Sequence, residues 1–217
     1  MNEKIVISFD LDFTLINNQE GILNSFDSAF KKYKIPQIVD TNFKRMIGLP
    51  LEEIFSKITD IKSEKLITAF RKYYKEKGLY QVELYPGVIQ LLKILKENKM
   101  SLGVVTSKKK ELAVKLLKNL QIYQYFDFVI GETHEIKSKT DLKIKNFFHE
   151  RFPEHNYIIV GDHLSDRRLA EMLNCRFIGI LTGNHSKQEL SEGSSVPVLI
   201  VDNITKLSLD KLFHFQI

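Results

Sequence analysis

Four short stretches of this chain hold the residues able to do chemistry. Asp10-Leu11-Asp12-Phe13-Thr14 sets two carboxylates two positions apart, Thr106-Ser107 offers hydroxyls, Lys139 an ammonium, and Gly161-Asp162-His163-Leu164-Ser165-Asp166 two more carboxylates. Gathered around one point, such a set repels itself unless a cation and an anion join it. Mg2+ suits all-oxygen ligands and keeps room for a substrate phosphate, so the expected anion is a phosphoryl group. Lys139 and Thr106 would hold its remaining oxygens while the metal offsets the repulsion between a carboxylate nucleophile and a phosphate dianion. A carboxylate can carry a phosphoryl group covalently, and a second carboxyl two residues on can reach the leaving oxygen. Taken singly, each piece has a plainer use. Aspartates at strand ends cap helices, as could Thr106-Ser107, Thr140-Asp141 and Ser165, and a lone Lys139 is a surface lysine.

Whether these residues meet depends on the elements that carry them. Five nearly continuous apolar runs, Ile5 to Phe9, Leu102 to Val105, Phe126 to Ile130, Tyr157 to Val160 and Phe177 to Leu181, read as strands buried on both faces of a parallel sheet. Val196 to Val201 is a sixth strand or an edge. Between them Val88, Leu91, Leu92 and Leu95, then Ala113, Leu116, Leu117 and Leu120, recur at helical spacing. Alternating strand and helix predict an α/β, Rossmann-like doubly wound sheet. Ligands of such sheets sit beyond the carboxyl ends of the strands, where all four stretches fall.

One interval breaks the alternation. The first strand ends at Asp10 and the next begins near Leu102, about ninety residues on, where a plain crossover needs a dozen or more. Helix formers dominate there, with Phe26, Phe30 and Tyr33 on one period, so residues 17–82 are expected to form an inserted helical cap and residues 1–16 and 83–217 the core. Tyr85-Pro86-Gly87 marks the return through a turn. Lys44, Arg45 and Gly48-Leu49-Pro50 are the cap's candidate substrate contacts.

Composition narrows the classes. Of 217 residues 43% are hydrophobic and 27% charged, as in ordinary globular chains. The start, MNEKIVISFD, fits neither a signal peptide nor an anchor, and no run reaches the roughly 18 apolar residues of a membrane span. A lone cysteine, Cys175, makes no internal disulfide and reads as a small buried hydrophobe, which agrees with a cytoplasmic location. The net charge of +5 comes from dispersed lysines without aromatic interleaving, so no nucleic-acid partner is expected. His134, His149, His155 and His185 share no metal spacing. The sequence is silent on oligomeric state.

FDLDFTL, VVTS, the lysine of KSKTD and GDHLSD together resemble, in order and spacing, the four motifs of the haloacid dehalogenase superfamily, and the likeness covers the whole chain. YPGV and GLPLEEIF resemble members with a helical cap, such as phosphoglycolate phosphatase-like enzymes. The resemblance implies that Asp10 is the nucleophile, Asp12 the general acid and base, and that Thr106 and Lys139 bind phosphoryl oxygens. It implies magnesium held by Asp10, the main-chain carbonyl of Asp12 and Asp162, with Asp166 close by. Ser107 and Lys108, beside Thr106, are candidates to bind the ligand, Lys108 by reaching an anionic tail or else standing in a solvated lysine run. Phe13 departs from the family's usual glycine and Thr140 from its proline, which keeps Lys137 as a competitor of Lys139; His163 and Arg167 are also untypical. The expected function is a magnesium-dependent phosphatase acting on a small phosphorylated metabolite. A phosphomutase and a non-catalytic binding protein of the same fold are the alternatives.

Overall fold

The computed structural model describes residues 4–37, 43, 46, 47 and 51–214. Lys44, Arg45 and Gly48-Leu49-Pro50 lie outside the described residues. The chain divides into two compact units, residues 1–16 with 84–217, and residues 17–83. It passes between them through a pair of two-residue strands, β2 (Ile16–Asn17) and β3 (Glu83–Leu84).

The first unit is built on a six-stranded parallel sheet of β1 (Ile5–Phe9), β4 (Ser101–Lys109), β5 (Phe128–Glu132), β6 (Asn156–Gly161), β7 (Arg176–Ile180) and β8 (Val198–Val201), in the order β5-β4-β1-β6-β7-β8. Every residue of β1 is buried, as its unbroken apolar run requires of a strand covered on both faces. The run from Val196 becomes the edge strand β8. Val88, Leu91, Leu92 and Leu95 of α4 (Val88–Glu97), and Ala113, Leu116 and Leu117 of α5 (Lys110–Asn119), form buried stripes at the expected helical spacing. Leu120, expected on the second stripe, falls just past the helix end and is half-buried; α6 (Leu142–Arg151) follows β5.

Two strands depart from expectation. The third predicted strand starts at Phe128, two residues later than its apolar run, because Tyr123–Tyr125 close a 3-10 turn and Asp127 N–H binds the Leu102 carbonyl before pairing begins. β4 continues to Lys109 instead of stopping at Val105, and its register against β5 shifts between those two residues.

In the second unit, α1 (Gln19–Lys32), α2 (Leu51–Ile58) and α3 (Ser63–Glu76) converge on a cluster of rings. The Phe26 ring lies 4.9 Å from Phe43, 5.4 Å from Phe55 and 4.6 Å from Phe70. Each buried ring contributes roughly 1.5–3 kcal/mol by leaving water.

Candidate active site

Order in the sheet brings the chemistry together. β1 lies between β4 and β6; Asp10 and Asp162 directly follow β1 and β6, and Thr106 stands in β4 just past the residues that pair with β1. Asp10, Thr106, Lys139, Asp162 and Asp166 are all buried. Lys139 Nζ lies 2.7 Å from Asp10 Oδ1 and 2.6 Å from Asp166 Oδ1. The exposed Lys137 is thereby separated from Lys139, which alone of the two enters the cluster.

Asp166 is held at both ends, since its Oδ2 also accepts the His163 N–H at 3.1 Å. Gly161 makes room for it: a Cβ there would fall 2.3 Å from the Asp166 carboxyl carbon. The helix α7 (Leu164–Leu173) is capped by His163, whose Nδ1 accepts from Ser165 N–H at 3.0 Å, so His163 and not Ser165 plays the part of cap. Arg167 holds the carbonyls of Glu189 and Glu192 at 3.1 and 2.8 Å, which gives this untypical residue a structural use. Asp141 does cap its helix, accepting from Lys143 N–H.

Around Asp12 the picture differs. Its Oδ2 lies 3.0 Å from Lys108 Nζ, and the Lys108 side chain is 8% exposed, so it is no solvated lysine. Ser107 is exposed, and Thr106 and Ser107 cap no helix: the Thr106 hydroxyl oxygen accepts the Lys108 N–H at 3.3 Å. Phe13 has φ 58°, the left-handed region that favours glycine, which accounts for the glycine usual at this place. Its N–H binds the Ile16 carbonyl and its own carbonyl takes the Thr182 hydroxyl, which hold the turn against the strain.

The electrostatics follow from burial. Leaving water pushes the Asp10, Asp12 and Asp166 carboxyls above their ordinary range, against the pull of Lys139 on Asp10 and Asp166 and of Lys108 on Asp12. Asp162 also lies well above its ordinary range, raised by burial and by the charges of Asp10 and Asp166, against the pull of Lys139 and the Thr14 hydroxyl. Burial lowers Lys139, but Asp10 and Asp166 outweigh it and keep the ammonium protonated. Asp10, Asp162 and Asp166 each offer one oxygen within 4.8 Å of the others, an all-oxygen donor set that could hold a hard cation.

Thr14 stands in the first motif without an expected role, and Gly183 and His185 lie outside every motif. Thr14, fully buried, donates its hydroxyl to Asp162 Oδ1 at 3.0 Å. Gly183 packs so closely that a Cβ would stand 1.9 Å from Asp162 Oδ2. His185 meets His163 edge to face with ring centres 4.4 Å apart. Thr182, Gly183 and His185 follow β7, so inspection of the fifth strand's carboxyl end would have found them. Among the described residues, no helix is long and apolar enough to cross a membrane.

The chain is similar to known proteins. Over 213 residues the chain is 29% identical to a protein of Dickeya dadantii named "Probable phosphatase IndB", covering 94% of this chain and 92% of the relative. It is 30% identical to the pyrophosphatase PpaX of Halalkalibacterium halodurans over 74% of this chain and 75% of that one. The solved structure of a haloacid dehalogenase-like family hydrolase from Streptococcus pneumoniae superposes with a TM-score of 0.84 at 28% identity, over all of both chains. The model of the haloacid dehalogenase-like hydrolases matches residues 7–180, and the chain belongs to that family.

Proposed function

We propose that this enzyme, a phosphatase of its family, hydrolyses a small phosphorylated metabolite with Mg2+ bound, through a phosphoryl group carried transiently on Asp10. The observation that carries this is the imbalance of the interior: one buried ammonium, Lys139, faces the three buried carboxylates of Asp10, Asp162 and Asp166. Such a set fits a divalent cation and is self-repelling without one. Asp10, Asp162 and the main-chain carbonyl of Asp12 would hold it, with Asp166 close by. When bound, Mg2+ supplies the positive charge that lets an anionic nucleophile approach an anionic ester.

The chain's own groups do the rest. An Asp10 carboxylate oxygen attacks phosphorus as the bond from phosphorus to the leaving oxygen breaks, and the Asp12 carboxyl gives that oxygen its proton. Asp12, now a carboxylate, takes a proton from the water that attacks the phosphoryl-Asp10, and inorganic phosphate departs with the Asp10 carboxylate restored. Asp12 must begin protonated, which its burial favours against the pull of Lys108, with the nearby Asp10 charge adding to the rise. Thr106 and Lys139 hold phosphoryl oxygens. The helical unit is proposed as the cap that selects among substrates; none of these groups lies in it.

The test is direct. Purified enzyme should release inorganic phosphate from p-nitrophenyl phosphate in Mg2+, stop in excess chelator, and carry a trapped phosphoryl group on the peptide containing Asp10, absent from Asp10→Asn. Full activity in chelator, or a label on another residue, overturns the mechanism. Return of the phosphoryl group to a sugar instead of to water would mark a mutase.

A further inference from the structure

Two ammonium groups enter the site and pair with different carboxylates: Lys139 with Asp10 and Asp166, and Lys108 with Asp12, while Asp162 accepts from the Thr14 hydroxyl. Lys108 owes its place to the register shift in β4. Between Val105 and Lys109 the strand leaves step with β5, the Thr106 hydroxyl oxygen accepts the Lys108 N–H, and Gly131 lets the chains close up, since a Cβ there would stand 2.6 Å from the Lys108 carbonyl oxygen. Irregularities of this kind re-aim a side chain. A lysine next to two others would ordinarily extend into water, yet this one is drawn in until 8% of its side chain is exposed, and burying an ammonium is favourable only against a partner. One partner is the Asp12 carboxyl, 3.0 Å away and itself 26% exposed, whose rotamer the ammonium helps to fix.

We propose that Lys108 is a positioning residue for Asp12, its ammonium fixing the carboxyl in the orientation from which the proton passes to the leaving oxygen. The inference rests on the phosphatase reading above. Lys108 keeps its own protons throughout; only the Asp12 proton moves, to the oxygen released as its bond to phosphorus breaks.

Two esters of similar size and charge separate this role from others. Benzyl phosphate leaves as an alkoxide that needs a proton, whereas p-nitrophenyl phosphate leaves as a phenolate that does not. With Mg2+ present, Lys108→Met and Lys108→Gln should lower kcat for benzyl phosphate by at least about tenfold with KM changed by less than about threefold. The initial burst of nitrophenol should slow by less than about threefold, and Lys108→Arg should recover most of the benzyl phosphate rate. An equal loss on both esters, or no rescue by Arg, overturns the proposal. So does a rise in KM confined to 2-phosphoglycolate, which carries a second anionic group and would make Lys108 a substrate anchor. If wild-type enzyme cleaves neither ester, the phosphatase reading itself fails and this inference falls with it. Matching thermal melts confirm that each variant is folded.

Discussion

The two units of the chain handle charge in opposite ways. In the helical unit the interior is a knot of rings, and its ion pairs, Lys31 with Asp27 and Lys57 with Glu53, lie outside along single helices, where such pairs are worth a few tenths of a kcal/mol. In the sheet unit an ammonium and three carboxylates are buried together, an arrangement that apolar residues of equal volume would often better for stability. The helical unit is therefore held by area, for which many sequences would serve. The sheet unit surrenders stability at one place to keep reactive groups ready, and there particular atoms matter.

The comparison breaks first at Lys139. Replacing it by methionine leaves Asp10 and Asp166 without the ammonium between them, and should cost about 3–5 kcal/mol at pH 7. Turnover should drop by about a hundredfold to a thousandfold. The carboxyls of Asp10, Asp162 and Asp166 already lie above their ordinary value of 3.8, and a raised acid contributes stability at low pH that is lost as pH rises through its folded value. The deficit should hence be smaller at pH 5 than at pH 7, and Mg2+ should restore part of it. Urea titrations at both pH values check this; a deficit independent of pH and metal would mean that charge is not what Lys139 balances.

Phe26→Ala is the matching break in the other unit. Removing a fully buried ring should cost about 3–5 kcal/mol, and the cost should be the same at pH 5 and pH 7, with or without Mg2+. If it varied with either, the ring cluster would be coupled to the charges and the contrast between units would be misplaced.

A sharper probe leaves all charges in place. Gly183→Ala puts a methyl group 1.9 Å from Asp162 Oδ2, so the carboxylate must move. Groups that orient a metal's ligands typically matter 10–100-fold in metal affinity, and the Mg2+ concentration for half-maximal hydrolysis should rise by about that factor. An unchanged requirement would remove Asp162 from the ligand set.

How far these features could be read from sequence follows the same division. Parallel strands buried on both faces are continuous apolar runs, so β1 is legible to the residue, while the turn at Tyr123–Tyr125 hides within the apolar run before β5 and displaces its start. The polar end of β4, Ser107 to Lys109, looks like loop because nothing local announces a register shift against a strand some twenty residues on. The carboxylates and Lys139 are legible because four stretches of the right types follow successive strands in one order and spacing, though each alone has a plainer use. The contacts of Gly183 and Thr14 with Asp162 and the pairing of Lys108 with Asp12 are not, since each acts through a distance that only the folded chain defines.

The smallest effect concerns the cap of α7. Histidine is an uncommon cap, and here its Nδ1 accepts from Ser165 N–H while its ring is packed against His185. An accepting Nδ1 requires that nitrogen to stay unprotonated, and burial, with His185 beside it, lowers His163 from 6.5 to about 4. His163→Ala removes the acceptor and should cost about 0.5–2 kcal/mol, while His163→Asn, whose side-chain oxygen can take over the bond, should cost less. Between pH 6.5 and 4 the unfolded chain binds a proton at His163 that the folded chain refuses, so wild type loses stability in that window as pH falls. The raised carboxyls pull the other way, but they are present in both proteins and cancel in the difference. The stability advantage of wild type over His163→Asn, measured by urea unfolding at pH 7, 5.5 and 4.5 without metal, should therefore shrink at each step. A constant difference would show that His163 takes up its proton while folded, and hence that its ring nitrogen does not cap the helix.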